Sequence, residues 1–537
     1  MMVVLLGATT ALAYRNTLPG QFVYDDKKII FNNPLIQKLD RIPLLFGTPY
    51  WGMNIGQPKT FKGSLYRPLT MVTFALNYYV GALDPNGYHV MNLVLHIGVS
   101  LLLWLLCLRL GIGPSAARAA AFLFAVLPIH TEAVSNIVGR SELLSSFFVL
   151  LAWNLATGHP RRRHWVLGSV SFMLALLSKE NAAALLPVLI LTDYVIYKTS
   201  WKTLANERLL VWVAYAGALL LYLEWRYLII GSITNAGGIP YFISQNGLEI
   251  YLTMARFILF HYLRPLVLGI GLCADYTRPA LADARVGDIS SWAWAFLLSG
   301  AVAYAFYSVI KKRNLLSLCV IIFFGLLFPV SNLLMRLEVI GAERFVYLPS
   351  LGYCMGVGLL LEKTMRSKIL KSSGEILVLA SLILWYGWRT YDRNKAWQTE
   401  ESFWSTTVQD APRSPRSWNG VGYVLMTQKK YDEAIQDFNK ALQLNPMLLD
   451  ADYNMATCFF LEGDYRRAKK GYLYVAQWKP YDPGTLFHLA YLAEKEHDIK
   501  SAEKYYVTIL TANPWDEMAR MNLGKLETRR RAGEVQL

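Results

Sequence analysis

Long apolar runs recur along the first 391 residues, and they constrain the fold of this chain more than any other feature. An α-helix needs about 20 mostly apolar residues to cross a bilayer. Runs approaching that length lie at 90–110, 116–134, 141–157, 164–178, 180–197, 208–230, 249–270, 291–310, 314–334, 345–361 and 374–391. With 54% hydrophobic and only 17% charged residues, the chain is predicted to be an all-α, polytopic membrane protein.

Basic residues gather in short segments between the apolar runs, at Arg161–Arg163, Lys311–Arg313 and Lys363–Lys371. A formal net charge of +15 would suggest a nucleic-acid partner in a soluble protein. Positive cytoplasmic loops explain the excess here, so no nucleic-acid partner is expected. The five cysteines are scattered singly, without a CxxC pair, and predict neither a zinc site nor a disulfide framework.

The number of crossings depends on two unusual segments. The first run, MMVVLLGATTALA, is short for a crossing; it is interpreted as a clipped or tilted first helix, with a signal peptide as the alternative. The segment 249–270 carries Arg256 and Arg264, which are costly inside a membrane. If this segment does not cross, the basic loops all fall on the cytoplasmic side, as the positive-inside rule requires. About 11 transmembrane helices result, and the alternative is that 249–270 crosses and breaks the charge rule.

From about residue 410 the composition turns polar and a period of 34 residues appears. The positions that repeat in one register are Ala434, Ala468 and Ala502; Phe438, Tyr472 and Tyr506; and Pro446, Pro480 and Pro514. This period predicts an α-solenoid of three tetratricopeptide repeats. The predicted domains are a membrane domain at 1–391 with a large external first loop at 15–89, a linker at 392–414, and repeats at 415–448, 449–482 and 483–516 within 415–537, followed by a capping helix at 517–533. The repeats suit an extended peptide or a partner protein, or they form a purely structural cap.

Ionisable and hydrogen-bonding residues concentrate at the predicted external face, within about a turn of the apolar runs. They comprise Asp25 and Asp26 and the stretches SLYRPLT (64–70), YHVMNLVLH (88–96), LPIHTEAVSNIVGRSELL (127–144), SKEN (178–181), LCADYTRP (272–279) and IGAERFVYLPS (340–350). Each stretch alone is typical of a helix end or an interfacial anchor. Their convergence on one face indicates a functional site.

Carboxylates beside cations at a membrane surface suit sugar transfer from a lipid phosphate. An acceptor hydroxyl needs a carboxylate to accept its proton, and a departing phosphate needs positive charge or hydrogen-bond donors. The sugar passes through an oxocarbenium-like state that carboxylates stabilise, and the apolar helices hold the lipid tail. A calcium or magnesium site at Asp25 and Asp26 is the rival interpretation, because hard cations bind paired carboxylates.

The sequence resembles the transmembrane and tetratricopeptide-repeat O-mannosyltransferases and their bacterial relatives, within the C-type glycosyltransferase superfamily. The matching stretches, in order, are FVYDDKKIIFNN, YRPLTMVTFALNY, YHVMNLVLH, LPIHTEAVSNIVGRSELL, LLSKENAAALLPV, LCADY and AERFVYLPSLGYC, followed by the repeats. The resemblance implies a C-type membrane core and a polyprenyl (dolichyl) phosphate sugar, usually mannose, as co-substrate. It also implies Ser/Thr hydroxyls of external proteins as acceptors, inversion at the anomeric carbon, and neither a metal nor another cofactor.

The resemblance also assigns candidate residues. The acidic pair of the family's first loop falls on Asp25 and Asp26; one of them, and we favour Asp25, accepts the proton or positions the acceptor. The phosphate-facing cations are expected to be Arg140 and Arg344 first, and then Arg67, His130 and Lys179. The carboxylates expected to orient those cations are Glu132, Glu180 and Glu343.

The resemblance leaves the cell type and the acceptor open. Eukaryotic members usually carry more than three repeats and a fuller first helix. This chain is accordingly expected to be a bacterial relative, a truncated form or a divergent member. The expected location depends on the cell type: the endoplasmic reticulum membrane in a eukaryote or the inner membrane in a bacterium, with the first loop and the repeats on the lumenal or periplasmic side. The alternatives are a non-catalytic membrane scaffold that binds proteins through its repeats, and a polyprenyl-phosphate sugar transferase that acts on a lipid or glycan.

Overall fold

The computed structural model describes residues 1–51, 65–158, 162–233, 241–242, 245–277, 283–366, 372–512 and 516–531. Arg161, Lys371 and Pro514, which the sequence analysis uses, lie outside these ranges. All regular secondary structure within them is helical, as predicted. The chain divides into two compact units. The membrane unit comprises Met1–Gly52, Phe61–Tyr276 and Ala282–Phe403, and the repeat unit comprises Met53–Thr60, Thr277–Leu281 and Trp404–Leu537.

The membrane unit is built from α-helices joined by short 3-10 and π turns. Its α-helices are α1 (Met2–Tyr14), α2 (Ile42–Leu45), α3 (Pro68–Gly81), α4 (Pro85–Arg109), α5 (Pro114–Val126), α6 (Thr131–Val134), α7 (Arg140–Ala156), α8 (Arg162–Ser178), α9 (Leu185–Tyr197), α10 (Trp201–Ile230), α11 (Gly247–Phe257), α12 (Arg264–Leu268), α13 (Ile289–Lys312), α14 (Leu315–Leu327), α15 (Ser350–Arg366) and α16 (Ser372–Asn394). The turns that carry or adjoin candidate site residues are Lys27–Phe31, Pro128–His130, Ile137–Gly139, Glu180–Ala184 and Glu343–Val346.

Four helices among the described residues are long and apolar enough to cross a membrane, so the predicted count of about 11 is not confirmed. They are Pro85–Arg109, Glu180–Tyr197, Trp201–Ile230 and Ile289–Lys312, and a fifth results if Pro114–Val126 and Pro128–Val134, bent by 51°, form one span. Exposed leucines such as Leu220 and Leu221 on α10, and the exposed Phe296 on α13, present apolar surface of the kind that faces lipid. These helices indicate a membrane protein.

The lower count follows mainly from helix length, because α7 and α8 have 17 residues each and α14 has 13, whereas a crossing needs about 20. Pro128 follows the end of α5 and divides the run predicted at 116–134, because proline lacks an amide hydrogen and disrupts the helix before it. The run at 249–270, which is expected not to cross, forms one continuous helical stretch of α11, the π turn Ile258–Leu263 and α12. Apolar composition alone reports neither the break at Pro128 nor the residues at which these shorter helices end.

The first loop contains a small hydrophobic core of its own. Phe22, Ile29 and Ile36 pack there with Phe74 of α3. Val138, from the turn that precedes α7, joins the same core. Burial of these side chains favours a defined path for the loop over a mobile one, and it fixes where the Asp25–Asp26 pair lies.

The repeat unit consists of paired helices. They are α18 (Pro415–Thr427) with α19 (Tyr431–Leu444), α20 (Leu449–Leu461) with α21 (Tyr465–Trp478), and α22 (Pro483–Lys495) with α23 (Ile499–Ala512), followed by α24 (Glu517–Arg531). The alanines and aromatic residues that define the 34-residue period are buried, from Ala434 and Phe438 in the first pair to Ala502 and Tyr506 in the third. Small residues let the paired helices approach closely, and the aromatic rings fill the remaining space.

The segment expected as a linker at 392–414 is largely ordered into helix. It contains the 3-10 turn Lys395–Trp397 and a further helix, α17 (Glu400–Asp410). The boundary between the two units falls within α17, after Phe403.

Candidate active site

Asp26 fastens the first loop to the turn that precedes α7. Its side chain is 1% exposed. One carboxylate oxygen accepts a hydrogen bond from the backbone N–H of Val23 at 3.1 Å, and the other accepts from Val138 at 2.9 Å. Burial raises the pKa of Asp26 to about 7, although the two N–H groups oppose the shift. Both oxygens of Asp26 are therefore engaged within the protein.

Asp25 has the opposite environment. Its side chain is only partly buried, and its carboxylate makes no hydrogen bond or salt bridge with any described residue. Burial raises its pKa to about 6, while Arg344 lowers that pKa and Glu132 raises it. Asp25 is thus a carboxylate that faces a cation and keeps both oxygens available.

Arg344 is held by Glu132. The backbone N–H of Arg344 donates to one oxygen of Glu132 at 2.8 Å, and its guanidinium donates to the other. The Glu132 side chain is 3% exposed, whereas that of Arg344 is 29% exposed. The buried carboxylate therefore orients a cation whose outer face remains accessible.

Arg67 and Glu180 form a second pair. The guanidinium of Arg67, immediately before α3, donates twice to the carboxylate of Glu180, at 3.1 and 2.9 Å. It also lies over the ring of Tyr50, 5.1 Å from the ring centre. Bidentate contacts and ring stacking restrict the guanidinium to one orientation.

Lys179 and Glu142 form a third pair, and it is deeply buried. Their side chains are 3% and 1% exposed, and the lysine ammonium bonds directly to the carboxylate. Asn181 donates to the other carboxylate oxygen at 3.4 Å. Burial lowers the pKa of Lys179 to about 8, with Glu142 opposing the shift, so the amine is still mostly protonated at neutral pH.

The three pairs are neighbours, and the Arg344 pair faces Asp25. Arg344 interacts electrostatically with Asp25 and Arg67, and Lys179 interacts with both Arg67 and Arg344. Their sequence positions explain this convergence, because they lie at helix ends: before α3, after α8, and in the turn that precedes α15. We call Asp25, Arg67, Lys179 and Arg344 the site cluster. It offers one available carboxylate and three oriented cations.

Arg140 lies elsewhere than the sequence analysis expected. It is fully buried, and its guanidinium donates to the side chains of Asn92 and Asn77 and to the backbone carbonyls of Tyr88 and Thr73. A phosphate could reach it only by displacing these bonds. Its position is that of a residue that joins α3 and α4 to the start of α7.

His130 is also turned away from solvent. It is fully buried, its Nε2 lies 2.8 Å from the hydroxyl of Ser350, and its ring packs against Phe124 and Tyr347 with centres 4.4 and 4.6 Å apart. This environment differs from the phosphate-facing one expected for it. The ring belongs to an aromatic cluster with Phe124 of α5 and Tyr347, which precedes α15.

Glu343 does not orient a cation of the site cluster. It is fully buried and accepts hydrogen bonds from the backbone of Cys273 and the hydroxyl of Tyr276. Arg393 lies 4.0 Å away. Burial raises the pKa of Glu343 to about 8. Its contacts join the segment after α12 to the turn that precedes α15.

Three residues near the site cluster were missed from the sequence. Glu142 and Asn181 stand in stretches already singled out, GRSELL and SKEN, but nothing in those letters shows which carboxylate pairs with which cation. Tyr50 carried no signal at all; its buried phenol interacts with Arg67, Asp25 and Arg344. The sequence position of Tyr50 does not predict this proximity.

The rival metal site at the Asp pair is not supported by the geometry. Both oxygens of Asp26 accept hydrogen bonds from backbone N–H groups, while Asp25 faces Arg344. The two carboxylates therefore do not converge on one cation, as a calcium or magnesium ion would require.

Comparisons with known proteins agree with the architecture and the motifs. The tetratricopeptide repeat family model matches residues 415–448. Mouse protein O-mannosyl-transferase TMTC3 is 27% identical over 576 residues, covering 98% of this chain and 61% of the mouse protein. Human protein O-mannosyl-transferase TMTC4 is 27% identical over 494 residues, covering 80% of this chain and 64% of the human protein. These similarities confirm the resemblance that the ordered stretches indicate.

The chain spans about three fifths of the length of the curated relatives it matches. Among solved structures, the Archaeoglobus fulgidus oligosaccharyltransferase tethered with an acceptor peptide is 13% identical, with a TM-score of 0.40, covering 81% of this chain and 58% of that one. A similarity this low carries no argument about the site.

Proposed function

We propose that this protein is a membrane glycosyltransferase of the protein O-mannosyltransferase type. It moves mannose from a polyprenyl (dolichyl) phosphate to Ser/Thr hydroxyls of external proteins, with inversion and without a metal. The observation that carries the proposal is the site cluster, where the available carboxylate of Asp25 faces Arg344. Arg344 in turn interacts with Arg67 and Lys179, and each of the three cations is oriented by a carboxylate. The relatives named protein O-mannosyl-transferases support the same reaction class.

Asp25 is the proposed base. Its carboxylate is free to accept the proton of an acceptor hydroxyl, and burial raises its pKa to about 6. A base is most effective when its pKa lies near the working pH, because it is then both ionised and basic. The hydroxyl oxygen attacks the anomeric carbon on the face opposite the phosphate, and its proton passes to Asp25. A single displacement of this kind inverts the anomeric carbon.

Arg67 and Arg344 are the proposed phosphate ligands, and the buried Lys179, which is bonded to Glu142, adds positive charge beside them. As the bond from the sugar to the phosphate oxygen breaks, negative charge develops on the leaving phosphate. Fixed cations stabilise that charge most strongly when they need no reorganisation, and the paired carboxylates hold them in place beforehand. The leaving phosphate then requires no separate acid.

An apolar cavity supports a lipid-linked donor. It has a volume of about 740 Å³ and lies between α11, α13 and α14. Its lining includes Ile258, Val302, Phe306, Phe324 and Leu327. A long isoprenoid tail has no polar atoms to satisfy, so a groove of this composition suits it.

The repeats are the proposed contact for the protein acceptor, since paired-helix solenoids present extended surfaces to peptides and proteins. In this proposal the first loop and the repeats are external, on the lumenal side of the endoplasmic reticulum in a eukaryote or the periplasmic side of the inner membrane in a bacterium.

The test uses membranes that contain the full-length chain and radiolabelled polyprenyl-phosphate mannose. We expect label in the protein fraction, released as mannose by alkaline β-elimination, and an unchanged rate in the presence of EDTA. Label only in a lipid or glycan fraction would replace the proposed acceptor class. Failure to transfer label to any fraction, in membranes where the chain is present and folded, would favour the scaffold alternative. Membranes with Asp25→Asn supply the background.

A further inference from the structure

The backbone immediately before Asp25 adopts an unusual conformation. Tyr24 has a φ of 55°, in the left-handed region that a bulky residue rarely occupies. Such a conformation persists only where surrounding contacts impose it. The contacts on Tyr24 therefore indicate what holds Asp25 in place.

Those contacts come from the chain segment that begins α17, far away in the sequence. The backbone N–H of Tyr24 donates to Oε2 of Glu400 at 3.1 Å, and Lys27 Nζ lies 3.0 Å from the same oxygen. One carboxylate oxygen thus binds the chain on both sides of the Asp25–Asp26 pair. The Glu400 side chain is 18% exposed.

Two further contacts join the same segments. The ring of Tyr24 stacks on Phe403, with centres 5.3 Å apart and planes inclined by 24°. The backbone N–H of Gln21 donates to the carbonyl of Gln398 at 2.8 Å. All these residues belong to the membrane unit.

We propose that Glu400, assisted by Phe403, is a positioning residue for transfer: it fixes the left-handed backbone at Tyr24 and thereby aims Asp25 at Arg344. Asp26 ties the loop from its other side through Val138, so Asp25 is held between two anchors. Glu400 lies outside every stretch that carries the family resemblance. The inference rests on the proposed transfer reaction, for which Asp25 is the base.

The test compares initial transfer rates of full-length variants, with radiolabelled polyprenyl-phosphate mannose as the donor and label in protein as the readout. We expect Glu400→Ala to lower the saturated rate about 10- to 100-fold, because small displacements of a reacting group are costly. The donor concentration at half-maximal rate should stay within about twofold, since the cations that bind the phosphate are untouched. Glu400→Gln keeps an oxygen that can accept from the Tyr24 N–H, so it should recover most of the rate.

Asp392→Ala is the matched control. Asp392 pairs with Lys395 at 3.0 Å in the same part of the chain, and it makes no hydrogen bond or ion pair with the first loop among the described residues. Its rate should equal that of the unmodified protein. Phe403→Leu, which removes the ring stack and keeps an apolar side chain, is the second variant if Glu400→Ala fails to fold.

The pH dependence separates positioning from a general loss of structure. A loosened loop exposes Asp25 to water and relieves the burial that raises its pKa, which is the largest influence on this group. Weaker interaction with Arg344 and Lys28, which lower that pKa, and with Glu132, which raises it, has a smaller effect. The acidic limb of the rate profile should therefore move from about pH 6 to a lower pH. An unmodified rate in Glu400→Ala would overturn the inference. So would a reduced rate, in Glu400→Ala or in Phe403→Leu, with the acidic limb unmoved. Absence of transfer by the unmodified protein would instead overturn the proposed function itself.

Discussion

The carboxylate of Asp26 accepts a hydrogen bond from the backbone N–H of Val138 at 2.9 Å, although the two residues are 112 positions apart. This bond ties the first loop to the turn that precedes α7, two residues before Arg140. It leaves the neighbouring Asp25 as the carboxylate with free oxygens. Adjacent helical residues point about 100° apart, so one member of the pair anchors the loop while the other faces Arg344.

Replacing the two aspartates one at a time should separate these roles. Asp25→Asn should abolish transfer with little change in stability, because its carboxylate makes no hydrogen bond with the described part of the chain. Asp26→Asn should lower the free energy of unfolding by about 1–3 kcal/mol, since its amide nitrogen would face a buried N–H donor. Label transfer and thermal unfolding of the detergent-purified protein measure both effects. Equal loss of stability in the two variants would contradict the division.

The repeat unit was predictable from the sequence because each alanine of the 34-residue period is required by the same physical cause. Ala434, Ala468 and Ala502 recur because two helices cross closely at each, and all three are fully buried. The period therefore predicts the helix pairs directly. The crossings of the membrane unit were less predictable, because hydropathy measures composition and does not register a break such as the one at Pro128.

The site was predictable in its residue types and unpredictable in its pairings. Arg67 and Lys179 lie next to helix ends, as their stretches suggested, and both interact with Arg344. Arg140 comes from an equally suggestive stretch and instead donates to backbone carbonyls of Thr73 and Tyr88. The N–H groups of a guanidinium can donate to a phosphate or to a backbone carbonyl. Only the tertiary structure shows which acceptor a given arginine binds.

The pH dependence of transfer should show an acidic limb near pH 6. Burial raises the pKa of Asp25 to about 6, and a base works only when ionised, so the rate should fall as the pH drops through that value. Arg344 lowers this pKa, so Arg344→Ala should move the limb above pH 6 in the residual activity. Lys28→Ala, which removes a weaker influence of the same sign, should move it less. A limb that stays in place when Arg344 is replaced would exclude Asp25 as its source.

The buried pair Lys179–Glu142 should behave as a unit. Removing one partner leaves the other as an uncompensated buried charge, at a cost of about 3 kcal/mol. Glu142→Gln and Lys179→Met should therefore each lower the thermal midpoint strongly, while the double variant should lose much less than the sum. A double-mutant cycle on the purified protein measures the coupling, and additive losses would contradict it. Lys179→Met should weaken donor binding as well, because it removes a positive charge beside Arg67 and Arg344, the proposed phosphate ligands.

Overpacking the repeats should separate acceptor capture from donor binding. Ala468 of α21 is fully buried in the core that it forms with α20, and the three extra carbons of leucine in such a core typically cost about 1–3 kcal/mol. Ala468→Leu should therefore reduce label transfer to protein while binding of radiolabelled polyprenyl-phosphate mannose to the membranes stays unchanged, because the site cluster lies in the membrane unit. Lys470→Leu, at an exposed position of the same helix, is the matched control and should leave both measurements unaltered. If Ala468→Leu distorts the repeats and transfer to protein continues at the full rate, the repeats do not present the acceptor. Joint loss of donor binding and transfer would mean that the lipid-binding region depends on the integrity of the repeats.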